Sequence, residues 1–276
     1  MTRYPPPGHL VQIDGHRLHL LCGGTGSQTV VLEAGLGESA LTWAPVQRQL
    51  SATTRVCSYD RAGLGWSEQD VRSPTADRSA EDLHQLLSNS GEPAPYVLVG
   101  HSIGAIVVRV FAAAYPAEVA GLLFVDPTNE EAVIAAGDPT LPIIERRAQG
   151  LLAEFGVMRL AGRSLVNDAV GGNAPLEVLD AAPLVYGAGS HATAVRELEG
   201  SVECATRVRE TMRPGVWAEL PVVVISAADS TPDDQAHHVA MARLSGLGRH
   251  IVAGSGGHYV HHEHPELVVD AVTDML

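Results

Sequence analysis

Short apolar runs recur along the chain, and stretches with helical spacing separate them. Thr29-Val30-Val31-Leu32, Tyr96-Val97-Leu98-Val99, Gly121-Leu122-Leu123-Phe124-Val125 and Pro221-Val222-Val223-Val224-Ile225 show no polar alternation. A parallel strand buried on both faces requires that pattern. Val56-Cys57-Ser58-Tyr59 is a less hydrophobic candidate, and Arg249-His250-Ile251-Val252 completes the set. Near the start, Val11 to His16 and Leu18-His19-Leu20 alternate around Asp14-Gly15, which predicts an antiparallel hairpin at a sheet edge. Between the runs, Leu83, Leu86 and Leu87 share one helix face with Gly91 as a stop. After Pro265, which suits a first helical turn, Leu267, Val268, Ala271, Val272 and Met275 recur at helical spacing. Strands alternating with helices predict an α/β fold: a mostly parallel, eight-stranded sheet with helices on both faces and right-handed crossovers.

One region breaks the alternation. Residues 128–215 contain no strand pattern. Val195, Leu198, Val202, Ala205, Val208 and Met212 step by three or four, with Ser190 as a cap and Pro214-Gly215 as a stop. Ile144, Ala148, Leu151, Phe155 and Met158 mark another helix, weakened by Gly156. The expected organisation is therefore a core of residues 1–127 and 216–276 with a helical cap, 128–215, over the carboxyl end of the sheet. Such a lid excludes water and supplies the apolar walls of a pocket. The alternative is a helical elaboration packed away from the site.

Composition narrows the classes. The 276 residues fit one large domain with an insertion, and 45% are hydrophobic, ordinary for a globular chain. A formal charge of −14 opposes phosphate backbones and anionic lipid, so neither nucleic acid nor membrane is an expected partner. No apolar run reaches the length of a membrane span. Cys22, Cys57 and Cys204 are odd in number and widely spaced, which argues against a disulfide framework. Met1 to Leu10 has three prolines and no apolar stretch of the signal-peptide kind. The expected location is cytoplasmic.

The candidate chemistry centres on Gly100-His101-Ser102-Ile103-Gly104, between an apolar run and a helical segment. G-x-S-x-G in that context is a nucleophile elbow, a turn so tight that small residues must flank the serine by two positions. A serine hydroxyl needs a base to take its proton and a third group to orient that base. His258 fits the base, because it follows the last strand in Ser255-Gly256-Gly257-His258. Two acids remain open. Asp126 directly follows Gly121–Val125, and Asp229 follows Pro221–Ile225. Asp233 and Asp234 better suit a helix start. The two N–H donors for an oxyanion are expected from Ile103 and from Leu36, the latter within Glu33-Ala34-Gly35-Leu36-Gly37. His258, His261, His262, Glu263 and His264 form a dense cluster, but they lack the spacing of a zinc site, so no metal is expected. His261, His262 and His264 read as a loop leading into the last helix, and His237, His238 and His250 as surface or structural residues.

Taken together, these residues resemble the α/β-hydrolase superfamily. Tyr59-Asp60-Arg61-Ala62-Gly63-Leu64-Gly65-Trp66-Ser67 is similar to its D-R-x-G-x-G-x-S loop, and Phe111-Ala112-Ala113-Ala114-Tyr115-Pro116 to the end of its helix after the nucleophile. Gly257-His258-Tyr259 with His264-Pro265-Glu266 resembles its terminal segment. The resemblance implies chain order Ser, acid, His, and it places Asp60 and Arg61 as structural members of a loop near the site. Ala34-Gly35 stands where many members carry His-Gly, so the main-chain donor survives without that histidine. Most members place the acid as at Asp229. A branch with Val-Asp-Pro at the earlier strand favours Asp126, to which the reading leans. Epoxide hydrolases and haloalkane dehalogenases of this superfamily place an aspartate at the elbow, so Ser102 argues for acyl chemistry. The expected activity is a cofactor-free serine hydrolase acting on a small, apolar or partly apolar ester or lactone. Alternatives are a C–C bond hydrolase or acyltransferase with the same triad, a cofactor-free perhydrolase, and a non-catalytic ligand-binding member.

Overall fold

The computed structural model describes residues 4–213 and 215–276. The apolar runs form a single eight-stranded sheet: β1 (His9–Gln12), β2 (Arg17–Gly23), β3 (Thr29–Glu33), β4 (Arg55–Tyr59), β5 (Tyr96–His101), β6 (Val119–Val125), β7 (Val222–Ser226) and β8 (Gly248–Val252). Their order is β1-β2-β4-β3-β5-β6-β7-β8. β1, β2 and β4 pair antiparallel, and every pairing from β4 through β3 to β8 is parallel. The Asp14-Gly15 hairpin turns as expected, with Gly15 at φ +87°.

Both faces of the inner parallel strands β3, β5, β6 and β7 are covered, which explains their unbroken hydrophobicity. Val31, Leu98, Leu122, Phe124 and Val224 pack on one side with Leu83, Leu86, Ile106 and Phe111. Val30, Val97, Val99, Leu123 and Val223 face the other, against Val46, Val268 and Val272. The covering helices are Ala76–Ser90 and Gly104–Ala114 on the first face, Ala44–Leu50 and Pro265–Thr273 on the second. Gly91 ends the first of these in the left-handed conformation, at φ +74°.

Between β6 and β7 the described residues are helical: Glu130–Ala136, Thr140–Glu154, Val157–Leu160, Gly162–Ala169, Leu176–Val185, Ala188–Glu199 and Ser201–Thr211. Two details differ from the sequence expectation. The stretch around Val195–Met212 is two helices, broken at Gly200, and Ser190 lies inside the first with Gly187 at its cap position. A 3.6-residue repeat carries through such a break because both helices present an apolar stripe. The expected stop at Pro214 lies outside the described residues. Gly156, at φ +83°, separates Thr140–Glu154 from Val157–Leu160.

The cysteine expectation is corrected. Cys22 and Cys57 face each other across the antiparallel pair β2–β4, with Cα atoms 4.1 Å apart, and form a disulfide. Sequence spacing gives no hint of it because the sheet, not the chain, makes them neighbours. Cys204 is free and buried. The bond removes one ground for expecting a reducing, cytoplasmic setting. No helix among the described residues is long and apolar enough to cross a membrane.

Candidate active site

Ser102 closes the turn from β5 into the helix Gly104–Ala114. Its φ of +53° lies in the left-handed region. The flanking glycines are sterically required. A Cβ at Gly100 would stand 2.8 Å from the Ala105 backbone, and one at Gly104 would stand 2.6 Å from the Ala34 carbonyl oxygen. Asp126, at the end of β6, has φ +39°. Among the described residues these two are the only non-glycine positions with positive φ. Strain of that kind costs on the order of 1–3 kcal/mol per residue and collects where a site must be held in place. The two segments are also stitched together: Ser102 N–H donates to the Val125 carbonyl at 3.2 Å, and Thr128 N–H donates to the Ser102 carbonyl at 3.1 Å.

Of the two candidate acids, Asp126 is the one that meets the histidine. His258 Nδ1 lies 2.6 Å from Asp126 Oδ2. The other oxygen, Oδ1, accepts from the Ala227 N–H at 2.9 Å and the Ser230 hydroxyl at 2.8 Å. Burial disfavours the charged carboxylate, but the bonds from His258, Ala227 and Ser230 outweigh it and hold the carboxyl down at about 2. The same contact raises the His258 pKa, against the effect of burial. Asp229 is exposed and makes no hydrogen bond to His258, although its carboxylate lies beside Gly257, where a Cβ would come within 3.2 Å of Oδ2. Ser102 Oγ and His258 form no direct hydrogen bond in this geometry. The elbow and the His258 loop are joined one residue away, where His101 Nε2 donates to the His258 carbonyl at 3.0 Å.

The loop after β3 is held by carboxylates and an arginine. Gly35 N–H donates to Glu38 Oε2 at 3.1 Å, and Gly37 N–H donates to Glu197 Oε2 at 2.9 Å. The Leu36 N–H between them has no protein acceptor among the described residues, and neither has that of Ile103. Arg61 fixes the same loop by donating to the carbonyls of Ala34 and Gly35, each at 2.7 Å, and to Glu33 and Glu197. Burial opposes the Arg61 charge, yet Glu197 and Glu33 raise its pKa well above the usual value. Asp60 accepts from the Ala40 and Trp66 N–H groups and lies 2.8 Å from His19. Both residues are structural members of the loop, as the resemblance implied.

Glu197, Glu38 and His101 escaped the sequence reading. Glu197 sits on a helix that looks only amphipathic, Glu38 follows a glycine-rich turn, and His101 is hidden inside a motif read for its serine. A buried titratable side chain in each case is the signal, and burial is invisible without the fold. The cluster near the C-terminus is also revised. His261 and His262 lie on a short helix, Val260–Glu263, rather than a loop, and His261 is fully buried. His238 is buried and structural, 2.7 Å from the Ser226 hydroxyl.

A cavity of about 620 Å³ opens between these loops and the inserted helices. Leu36 and Tyr259 form its sheet side, and Arg146, Leu152, Met158, Leu165, Val170, Tyr186, His191 and Leu198 are among the inserted residues that line it. Its size is that of a small-molecule site. Neither Ser102 nor His258 is among its lining residues, but Tyr259, next to His258 in the chain, is.

Comparison with known proteins agrees with this architecture. The structure resembles a thermophilic esterase from Thermogutta terrifontis, with TM-score 0.69, 21% identity and coverage of 96% of this chain and 95% of that one. It resembles the enol-lactonase from Burkholderia xenovorans LB400, with TM-score 0.72, 19% identity and coverage of 97% and 99%. It also resembles the Cif epoxide hydrolase from Acinetobacter nosocomialis, with TM-score 0.79, 17% identity and coverage of 97% and 88%. At such identities the likeness concerns the fold. Among curated sequences, the uncharacterized protein YqjL of Bacillus subtilis (strain 168) is 34% identical over 116 residues, 42% of this chain and 46% of that protein. A putative carbamate hydrolase RutD of Caulobacter sp. (strain K31) is 38% identical over 97 residues, 33% of this chain and 35% of that protein. The matches span about half or less of the first curated relatives' length. The model of the alpha/beta hydrolase family matches residues 30–271, the span from β3 through β8 with the insertion, and the chain belongs to that family.

Proposed function

We propose that the protein is a serine hydrolase that cleaves a carboxylic ester or lactone through an acyl-enzyme at Ser102. The observation that carries this reading is the 2.6 Å contact between His258 Nδ1 and Asp126 Oδ2, beside an elbow that holds Ser102 at positive φ. With Nδ1–H donated to Asp126, the Nε2 lone pair of His258 is free to act as the base. It takes the Ser102 proton as Oγ attacks the carbonyl carbon. The N–H groups of Leu36 and Ile103, which lack protein acceptors, hold the developing oxyanion. His258 then returns the proton to the leaving alkoxide. Water, deprotonated by His258, attacks the acyl carbon, and collapse of the second tetrahedral intermediate restores the Ser102 hydroxyl and releases the acid. In this reading the hydrogen bond from Ser102 Oγ to His258 forms on substrate binding, since catalytic hydrogen bonds commonly tighten only in the complex.

Residues 128–215 act as the cap in this reading. The mixed cavity they share with Leu36 and Tyr259 suits a small, partly apolar acyl or alkyl group. Related folds carry esterase, lactonase, epoxide hydrolase and carbamate hydrolase names. A serine at the elbow favours acyl transfer over epoxide opening, which uses an aspartate there.

The test is labelling by a fluorophosphonate, followed by a screen of esters and lactones of varied chain length. The native protein becomes labelled and the Ser102→Ala protein does not. Equal labelling of the two removes Ser102 from its role. Labelling without turnover of any ester or lactone removes the substrate class and keeps the nucleophile.

A further inference from the structure

Beside the elbow lies a second group of titratable side chains that the proposed reaction does not use. Glu38, His101 and His261 come from three separate segments and are 4%, 0% and 0% exposed. One ligand atom of each lies within 4.8 Å of the other two. His101 Nε2 is 3.0 Å from the His258 carbonyl, an acceptor only, so that nitrogen carries the proton. His101 Nδ1 faces Glu38 Oε2 at 3.5 Å and has no hydrogen-bond partner. His261 repeats the arrangement. Its Nε2 is 3.0 Å from the Thr42 hydroxyl, and its Nδ1 is buried without a partner. Thr42 has one proton and also lies 2.8 Å from His262 Nε2. With that proton given to His262, Thr42 accepts from His261 Nε2–H, which leaves the His261 Nδ1 lone pair free.

Two bare nitrogen lone pairs beside a buried carboxylate are costly unless something positive joins them. A proton on His101 Nδ1 pairs it with Glu38 but leaves His261 Nδ1 unpartnered. A metal ion accounts for all three donors. Two imidazoles and a carboxylate are a donor set that binds zinc. In metal sites the outer nitrogen of each histidine is engaged by a carbonyl, carboxylate or similar partner, as both are here. The 3.5 Å edge between His101 and Glu38 matches the roughly 3.3–3.6 Å that donors span around a metal at about 2.0–2.2 Å. Closing the other edges takes movement on the order of 1 Å to reach those bond lengths.

We propose that Glu38, His101 and His261 bind one divalent transition-metal ion of the zinc class through a carboxylate oxygen and the two Nδ1 atoms. The ion touches no reacting atom. It ties the short helix Val260–Glu263 to the elbow and, through His101, to the backbone carbonyl of His258. The proposal stands apart from the reaction assigned to Ser102, because its readout is metal uptake.

The experiment uses the whole chain, stripped with a chelator, dialysed and titrated with Co²⁺ while its visible d–d absorption is followed. One Co²⁺ per chain is expected, displaced by Zn²⁺. Glu38→Gln and His261→Ala, checked for folding by circular dichroism, each weaken uptake tenfold or more, whereas His264→Ala does not. Should either variant fail to fold, crystals of the native protein soaked in Zn²⁺ decide, with an anomalous difference peak expected among the three donors. No stoichiometric uptake, uptake unchanged in both folded variants, or a peak elsewhere overturns the proposal.

Discussion

The carboxyl ends of the strands and the helices inserted between β6 and β7 are built on opposite terms. β3 and β5 are buried at every residue, and the turns that follow them are locked by hydrogen bonds and by glycines that no larger residue could replace. The inserted helix Thr140–Glu154 has no buried residue, and Leu141, Phe155 and Leu160 are 78%, 84% and 92% exposed. The insertion is tied down near both of its ends: Glu130 pairs with Arg109 and His237, and Glu197 grips Gly37 and Arg61. The contrast divides the labour. In the proposed reaction the sheet fixes the reacting groups, where small displacements cost rate. The insertion lines the cavity, and its stretch from Thr140 to Leu160 is packed more loosely than the sheet.

Substitutions at the two regions should therefore differ in kind. The largest effect is expected at Asp126. Asp126→Asn lowers kcat by about 10⁴, the magnitude seen when the orienting acid of such a triad is neutralised, and Asp229→Asn loses far less. Steady-state kinetics on the best ester decides, and equal small losses would leave neither as the orienting acid. Next, Phe124→Ala in the sheet core costs about 3–5 kcal/mol in urea unfolding, the usual range for emptying a buried aromatic site.

A third effect is pH-dependent and tests the anchor of the insertion. Glu130 is buried, which disfavours its charge, but His237 and Arg109 outweigh this and hold its pKa down at about 2, from an ordinary 4.5. A carboxyl depressed in the folded state stabilises fully above its unfolded value and loses that contribution as pH falls toward the folded one. The stability gap between the native protein and Glu130→Gln is therefore widest near neutrality and shrinks from about pH 4.5 downward. Urea midpoints measured at pH 7, 5 and 3.5 check it; a constant gap breaks the assignment. The smallest stability effect is expected in the loose region. Phe155→Ser changes stability by no more than about 0.5 kcal/mol, as exposed positions do. Leu152→Ala, on the cavity wall, is similarly mild for folding and shifts KM more than kcat. A loss of several kcal/mol at Phe155 would mean that the insertion is packed as tightly as the core.

How much could be read in advance follows the same division. The buried strands were legible because burial on both faces forces continuous apolar runs, and the elbow because its turn admits only small flanking residues. Asp126 was legible only as one of two acids, since both follow strand ends at the same edge of the sheet. The break at Gly200 was missed because two helices can share one hydrophobic period. Cys22–Cys57 was missed because the partners meet by strand register.

The sequence alone determined the alternation of strands and helices, the kinked serine turn and the histidine after the last strand, because each depends on local sterics or on periodic burial. The tertiary structure brought Asp126 rather than Asp229 to His258, joined the two cysteines, set Arg61 between Glu33 and Glu197, and drew Glu38, His101 and His261 together. Those are contacts between residues far apart in the chain. Their distances are fixed by how the sheet orders its strands, and no local pattern carries that order.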